Sequence, residues 1–183
     1  MRLVVAVTGA SGAEYAHALL AALKGHEVDL IISEDAKAVI REETDLTVRD
    51  FERLARRSHD NGDMAAPISS GSNRFDAMII VPCSGTTLAK ISVGIADNLI
   101  TRVAAVCIKE GRKLVLVPRE TPLSQIQIEN MLGLSRLGVI ILPASPGFYM
   151  RPKKVRDLVD FIAARILDRL GIEQQLVKGW KAD

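Results

Sequence analysis

Turns rich in hydroxyl groups and glycine follow several apolar runs of this sequence. Residues 8–12 read TGASG, residues 82–87 read PCSGTT, and Ser33 directly follows another run. Helical patterns begin after these turns, so free backbone N–H groups and positive helix ends would meet there, which favours anions and phosphate above all. Each serine could also be an ordinary helix cap. Several such turns at one sheet edge favour a phosphate site.

The sequence lacks parts of the motif that binds dinucleotides, and this disfavours NAD as the phosphate-bearing ligand. The stretch 9–12 resembles half of the glycine fingerprint of NAD-binding proteins, but the full G-x-G-x-x-G is absent. Ser33 stands where a ribose-binding acid would be expected, and it is interpreted either as a phosphate or ribityl contact or as a helix cap. Pro152 interrupts the spacing between Tyr149 and Lys153, so a dehydrogenase tyrosine–lysine pair is rejected.

Four charged residues could act on a phosphate ester. Arg119 and Glu120 follow a buried apolar run, where they would form either a salt bridge or an anion-binding cation beside a proton-transferring carboxylate. Arg102 and Lys109 lie seven residues apart and therefore share one helix face. Lys109 could reach the same pocket as Arg119, although either cation alone would be read as a solvated surface charge.

Two further candidates lie near the end of the sequence. The stretch 144–152, ASPGFYMRP, is predicted to be a loop that two prolines stiffen. Because it follows a strand, we expect the Tyr149 hydroxyl to face the ligand edge of the sheet. Arg165 lies within a predicted helix on an apolar background. Asp160 and Asp168, on nearby turns, are its ordinary partners.

Continuous apolar runs alternate with amphipathic helical patterns. The runs do not alternate residue by residue, so the strands are expected to be buried on both faces in a parallel sheet. The alternation predicts a doubly wound α/β sheet of three layers in a single domain. Strands are expected at 3–7, 28–32, 77–81, 114–117 and 139–142, and helices at 12–24, 35–43, 84–110 (interrupted near Gly94), 124–136 and 153–170. Residues 58–75 are predicted to form a loop, and residues 173–183 a tail after a domain of residues 1–172.

Composition excludes several classes of function. The net charge of +2 comes from 24 basic and 22 acidic residues that are mixed along the chain, so neither nucleic acid nor a membrane surface is an expected partner. The two cysteines, Cys83 and Cys107, and the three histidines have no metal-ligand spacing, so no metal is expected. The chain shows no signal peptide and no apolar run of membrane-spanning length, and a cytoplasmic location is expected.

Several long blocks of the sequence resemble the UbiX family of flavin prenyltransferases. They include VTGASGAEY, ETDLT, SSGS, PCSGTTLAKISVGIADNLITRVAAVCIKE, LVLVPRETPLSQIQIENML and GVIILPASPGFYMRPKKVRDLVDFIAARILDRLGI. The resemblance implies a Rossmann-like, flavodoxin-like fold and a homododecamer with active sites between subunits. It implies that a dimethylallyl group passes from dimethylallyl phosphate to N5 and C6 of reduced FMN without a metal. The prenylated FMN would be used by UbiD-type decarboxylases.

The resemblance also assigns residues by matching position. The FMN site would comprise Gly9, Ala10, Ser11, Gly12, Ser33, Ser84, Gly85, Thr86, Thr87, Arg102 and Arg119. The prenyl donor would be held by Ser70, Gly71, Lys109, Tyr149, Arg165 and Trp180, the last by closing over a neighbouring subunit's site. The catalytic residues would be Ser11, Lys109 and Glu120, with Ser11 and Glu120 acting near the leaving phosphate and the proton at N5.

Two alternatives are weighed against the prenyltransferase. Flavin-dependent cysteine decarboxylases share the fold but carry a PASANT-like stretch and a P-x-M-N-x-x-M-W clamp, where this sequence reads PCSGTT and PRETPLSQIQIENM. A non-catalytic FMN carrier would explain flavin binding alone. It would have no need of Lys109, Glu120 or Arg165, and these three residues therefore favour the enzyme.

Overall fold

A parallel sheet of six strands organises the chain, and the computed structural model describes residues 1–178. The strands are β1 (Arg2–Val7), β2 (Glu27–Ile32), β3 (Arg57–Asp60), β4 (Ala77–Cys83), β5 (Lys113–Pro118) and β6 (Ile140–Ile141). Their spatial order is β3-β2-β1-β4-β5-β6. The strand order reverses between β1 and β4, and ligands of open α/β sheets bind beyond the carboxyl ends of the strands at such a point.

Helices cover both faces of this sheet. They are α1 (Ala13–Ala22), α2 (Glu34–Glu43), α3 (Val48–Glu52), α4 (Gly85–Ser92), α5 (Leu99–Lys109), α6 (Gln125–Arg136) and α7 (Val155–Leu170), with a short 3-10 turn at Pro67–Ser69. One apolar cluster joins α1 and α7 to the sheet residues Leu3 and Val5. The other joins α4 and α5 to Val4 and Ala6, which point to the opposite face. The predicted three-layer, doubly wound fold is confirmed.

Burial on both faces explains the continuous apolar runs. β4 is buried along its whole length, and β1 and β5 are buried at every residue after the first. The strand predictions are close to the observed bounds for β1, β2, β4 and β5. The run expected at 139–142 forms only the two paired residues of β6, which lies at the sheet edge.

The edge strand β3 and the short helix α3 are absent from the predictions. The sequence of β3, RSHD, is polar, and only His59 of its four residues is buried. A polar contact holds it: His59 Nε2 lies 3.0 Å from Oδ1 of the buried Asp29 in β2. Asp29 also accepts from Arg2 at 3.3 Å. β3 is therefore stabilised by a buried charge network that apolar periodicity does not reveal.

The chain after α7 is partly packed. Gly171 ends α7 with φ of 77°, a left-handed conformation that suits glycine. Leu176 and Val177, in the stretch predicted to be a tail, contact the core formed with α1 and α7. Trp180 lies outside the described residues. The division into a domain of residues 1–172 and a tail of residues 173–183 stays a prediction.

Candidate active site

The turns after β1 and β4 are joined directly at the carboxyl edge of the sheet. Thr8 Oγ1 donates to the Pro82 carbonyl and accepts from the Ser84 N–H, both at 2.8 Å. Thr8 is buried, so both hydrogen bonds are shielded from solvent. The N–H of Ser33 donates to the Val7 carbonyl at 3.0 Å, which brings the turn after β2 to the same edge. The structure thus brings the three hydroxyl-bearing turns together.

The turn at residues 9–12 leaves little space for side chains. Gly12 has φ of 101°, a conformation that L residues rarely adopt. A Cβ added at Gly9 would lie 2.5 Å from the Cβ of Asp35 in α2. The backbone at Gly9 is therefore packed closely against the helix that follows Ser33.

Replacement of Gly9 by alanine should crowd this contact and lower the stability of the protein. We expect Gly9→Ala to lower the free energy of unfolding by about 1–3 kcal/mol, because the new methyl group overpacks the contact with Asp35. The matched control is Gly133→Ala in α6, where a Cβ meets nothing within 4 Å. It should raise stability by about 0.5–1 kcal/mol through helix propensity. Urea unfolding measures both, and a Gly9→Ala protein as stable as the wild type would contradict the close approach.

Of the three serines in these turns, Ser33 and Ser84 act as helix caps, whereas the cap of α1 is Gly12 and no side chain caps it. Ser33 Oγ accepts from the Ala36 N–H, and Ser84 Oγ accepts from the Thr87 N–H, both at 3.2 Å. Each cap takes one donor, although a helix begins with four N–H groups that lack an internal partner. Capping and anion binding are therefore compatible at both turns. Thr86, one residue before the capped Thr87, is exposed beside this helix end.

Arg119 connects the turn after β5 to the turn after β1. Its Nε donates to the Ser11 carbonyl at 3.2 Å. Among the ion pairs of residues 1–178 there is none between Arg119 and Glu120, so the salt-bridge alternative for this pair is wrong. Glu120 is exposed, and its Oε1 accepts from the Thr121 N–H at 3.2 Å. Both side chains border a cavity of about 90 Å³ beside Ser145.

Glu43 is a second carboxylate at this edge that the sequence reasoning did not select. Its Oε2 accepts from the Gly12 N–H at 2.9 Å, next to Ser11. Glu43 is the last residue of α2, where it resembles any surface charge of an amphipathic helix. The available signal was its place at the start of the ETDLT block, which carries part of the family resemblance.

Two groups near this edge have pKa values that reflect their burial. Burial raises the pKa of Tyr15, and the positive charge of Arg119 acts in the opposite direction. Burial raises the pKa of Cys83, directly before Ser84, to about 12. Burial therefore favours the neutral Cys83 thiol over the thiolate at neutral pH. Within residues 1–178 no group of three His, Cys, Asp or Glu side chains is placed to hold a metal ion.

A second group of candidates lies on the sheet face covered by α5. A Cβ at Gly71 would lie 2.9 Å from Lys109 Nζ, and Ser70 Oγ lies 2.9 Å from Ser72 Oγ. Arg102 Nε donates to the Ser69 carbonyl at 3.0 Å. Gly71, next to Ser70, thus lies beside Lys109, and Arg102, which is assigned to FMN, contacts the same segment through Ser69.

A third group surrounds α7 beside the sheet edge at β6. The rings of Tyr149 and Phe161 meet edge to face with centroids 5.8 Å apart. Phe161 and Arg165 line a cavity of about 480 Å³ along β6. Arg165 pairs with Asp168 at 2.8 Å, whereas Asp160 pairs with Arg156 at 2.7 Å. Asp168 is therefore the partner of Arg165, and the expectation that Asp160 would share this role is wrong.

One chain does not bring the three groups together. α5 and α7 cover opposite faces of the sheet. Lys109 ends α5, and β5 then begins at Lys113 and ends at Pro118, directly before Arg119. A six-residue strand spans about 20 Å, so Lys109 lies near the opposite edge of the sheet from Arg119. Within one chain, Lys109 does not reach the pocket of Arg119 and Glu120.

Comparison with known proteins decides the family. The family model described as Flavoprotein matches residues 1–167. The flavin prenyltransferase UbiX of Thermoplasma acidophilum is 53% identical over 180 residues, which cover 98% of this chain and 100% of that protein. This chain belongs to the UbiX family.

Two solved structures of UbiX proteins extend the similarity to three dimensions. The dodecameric FMN-dependent UbiX-like decarboxylase from Escherichia coli O157:H7 is 50% identical, with a TM-score of 0.97 and complete coverage of both chains. AnUbiX (PadA1), solved with FMN and dimethylallyl pyrophosphate, is 45% identical, with a TM-score of 0.92 and 98% coverage of each chain. The whole described architecture is therefore that of the UbiX family. No helix within residues 1–178 is both long and apolar enough to cross a membrane.

Proposed function

We propose that this chain is a flavin prenyltransferase that transfers the dimethylallyl group of dimethylallyl phosphate to N5 and C6 of reduced FMN. The observation that carries this function is the meeting of the turns after β1, β2, β4 and β5 at one sheet edge, in a member of the UbiX family. The products are prenylated FMN, with a fourth ring, and inorganic phosphate. Cysteine decarboxylation is disfavoured by the sequence of the turn at 82–87 and by that of the stretch 118–131.

The carboxyl edge has the features that a flavin mononucleotide requires. Backbone N–H groups at the starts of α2 and α4 are available to its phosphate. The close packing at Gly9 and at Gly85, where a Cβ would lie 2.9 Å from Gln127 Nε2, keeps this edge free of side chains that would fill it. The residues proposed to bind FMN are those given above, namely residues 9–12, Ser33, residues 84–87, Arg102 and Arg119.

The bound FMN would supply the acceptor atoms N5 and C6. The protein's residues would stabilise the charge on the leaving phosphate and accept the released proton. In the reaction the bond between the allylic carbon and the phosphate oxygen breaks, and the electron pair leaves with the phosphate. Lys109, Arg165 and the Tyr149 hydroxyl would stabilise the charge that develops on this phosphate, in place of a metal ion. N5 would form a bond to the prenyl unit and give up its proton; the prenyl C=C bond would take up a proton at one carbon, and C6 would bond to the other carbon and give up its own proton. Glu120 is proposed to accept a proton at N5.

Ser11 is proposed to act where the prenyl donor meets the flavin. Its carbonyl is held by Arg119, and the N–H of the next residue, Gly12, faces Glu43. The backbone that carries the Ser11 hydroxyl is therefore held by a cation at its carbonyl and by a carboxylate at the next N–H. We assign it the hydrogen bond to the leaving phosphate oxygen.

The donor site is proposed to form between copies of the chain. Lys109 with Ser70 and Gly71 lies on one sheet face, and Tyr149 with Arg165 lies on the other, so these groups can hold one phosphate only if different subunits supply them. The E. coli relative with a TM-score of 0.97 is dodecameric. We propose the same homododecamer here, with a catalytic domain of residues 1–172 and with Trp180 closing over a neighbouring site.

The prenylated FMN is expected to serve as the cofactor of a second enzyme. Prenylated FMN is proposed to pass to a UbiD-type decarboxylase, and the reaction is assigned to the cytoplasm. These two assignments rest on the family resemblance and on the absence of a membrane-crossing helix from the described residues.

The activity has a direct test. The protein is mixed anaerobically with reduced FMN and dimethylallyl phosphate, and the flavin is analysed by mass spectrometry beside a reaction without donor. We expect a flavin heavier by one C5 prenyl unit and an equal amount of free phosphate. Unmodified FMN with intact donor would overturn the enzyme assignment and leave an FMN carrier. Carbon dioxide from a cysteine-terminated peptide would instead identify the decarboxylase.

A further inference from the structure

Arg112 makes several contacts to the segment that carries Ser70 and Gly71. Its Nη1 donates to the Asn73 carbonyl at 2.9 Å, and its Nη2 donates to the Gly71 carbonyl. Its guanidinium carbon lies 4.4 Å from the ring centroid of Phe75. One planar group thus makes two hydrogen bonds and a cation–π contact to a stretch of five residues.

This segment has few other contacts that fix its conformation. The connection from β3 to β4 contains one short 3-10 turn, and the Asn73 N–H donates to the Ser70 carbonyl at 3.2 Å. The Oδ1 of Asn73 is buried and has no hydrogen-bond partner. Arg102 holds the preceding residue, Ser69, at 3.0 Å. Beyond hydrogen bonds within the segment itself, arginines bind its backbone carbonyls: Arg102 at Ser69, Arg112 at Gly71 and Asn73, and Arg2 at Arg74.

Arg112 also links this segment to Lys109. It lies three residues beyond Lys109, in the turn between α5 and β5. Gly71 packs against the ion pair of Glu110 and Lys109, with the Glu110 carboxylate nearest and the Lys109 ammonium next. The two hydrogen bonds of Arg112 therefore hold the backbone at Gly71 beside this ion pair.

We propose that Arg112 is a positioning residue for the prenyl-donor half of the site. It acts through the segment 70–73 and does not itself touch the donor, and this role rests on the proposed prenyl transfer. Arg112 is far from the FMN turns, because it precedes β5 whereas Arg119 follows that strand. Its loss should therefore affect donor binding selectively.

Three variants test this role. Arg112→Met removes both hydrogen bonds and the charge, and Arg112→Lys keeps the charge but not the planar fork. Lys113→Met is the matched control, because Lys113 Nζ donates to the Arg169 carbonyl at 2.9 Å, on a different element. The KM for dimethylallyl phosphate, the Kd for FMN and hydrogen exchange of the peptide 69–75 are measured for each.

We expect Arg112→Met to raise the KM for dimethylallyl phosphate by about tenfold, as for the loss of charged hydrogen bonds, with the FMN Kd within about twofold of the wild type. Exchange in the peptide 69–75 should become faster while peptides from β1 and β4 remain protected. Arg112→Lys should show most of the same KM increase, since one ammonium cannot serve two carbonyls and stack on Phe75. Lys113→Met should change none of the three quantities.

Distinct results would overturn the role. A KM restored by Arg112→Lys would show that only charge matters, and equal losses of FMN and donor affinity would show a general structural effect. Unchanged exchange in the peptide 69–75 would show that Arg112 does not hold the segment. A wild-type protein that forms no prenylated FMN would refute the proposed function instead, while the exchange measurement would still decide whether Arg112 fixes the segment.

Discussion

Replacing Glu120 with Gln lowers kcat for flavin prenylation by about a hundredfold or more and leaves FMN affinity within about twofold, because the amide keeps the shape but cannot accept a proton. Glu120 is exposed at the carboxyl edge, and its Oε1 accepts from the Thr121 N–H. The amide oxygen of Gln can accept the same hydrogen bond. The local backbone should therefore persist in the variant.

Glu129→Gln is the matched control for this experiment. Glu129 is an exposed carboxylate of α6 whose Oε1 accepts from Gln125 Nε2 at 2.8 Å. Its replacement should leave kcat unchanged. Anaerobic single-turnover kinetics and flavin fluorescence titration measure the two quantities. A Glu120→Gln protein that loses FMN affinity together with its rate would show that Glu120 is structural.

Mixed oligomers of two impaired variants should regain prenyltransferase activity that neither variant has alone. Lys109→Met should lower kcat by about a hundredfold, as for the loss of one group that stabilises the leaving charge. Lys109 and Glu120 lie at opposite ends of β5, so each site should take them from different copies. In a co-expressed mixture of Lys109→Met and Glu120→Gln chains, random assembly leaves about a quarter of the sites with both residues intact.

A second mixture provides the control for assembly. Ser11 and Glu120 belong to the same edge of the same chain, since Arg119 contacts Ser11 and directly precedes Glu120. Co-expressed Ser11→Ala and Glu120→Gln chains should therefore recover no activity. Activity is measured as prenylated FMN per subunit after each mixture is purified. Equal recovery in the two mixtures, or none in either, would contradict a site shared between copies.

The apolar pattern of the sequence predicts the sheet because its strands are buried on both faces. β1, β2, β4 and β5 are runs of valine, leucine, isoleucine and similar residues, and their positions were found within about two residues. β3 was missed because it is held by the contact between His59 and the buried Asp29, which no periodicity reports. The loop predicted at 58–75 thus contains part of a strand at its start.

The sequence predicts those parts of the candidate site that directly follow a strand. It does not predict the parts that depend on contacts between residues far apart in the sequence. The turns at 8–12 and 82–87 stand directly after strands, so parallel topology alone brings them to one edge. Glu43 and Arg112 contact their partners across 31 and 41 residues of sequence. The separation of Lys109 from Arg165 depends on which face each helix covers, and this becomes visible only when the sheet order is known.

A crystal structure with FMN and dimethylallyl phosphate bound would test the shared site most directly. We expect the flavin along residues 9–12 and 84–87 of one subunit, and the donor phosphate in contact with Lys109 of one copy and with Tyr149 and Arg165 of another. A donor phosphate bound entirely by residues of a single chain, or a flavin bound away from the carboxyl edge of the sheet, would contradict it.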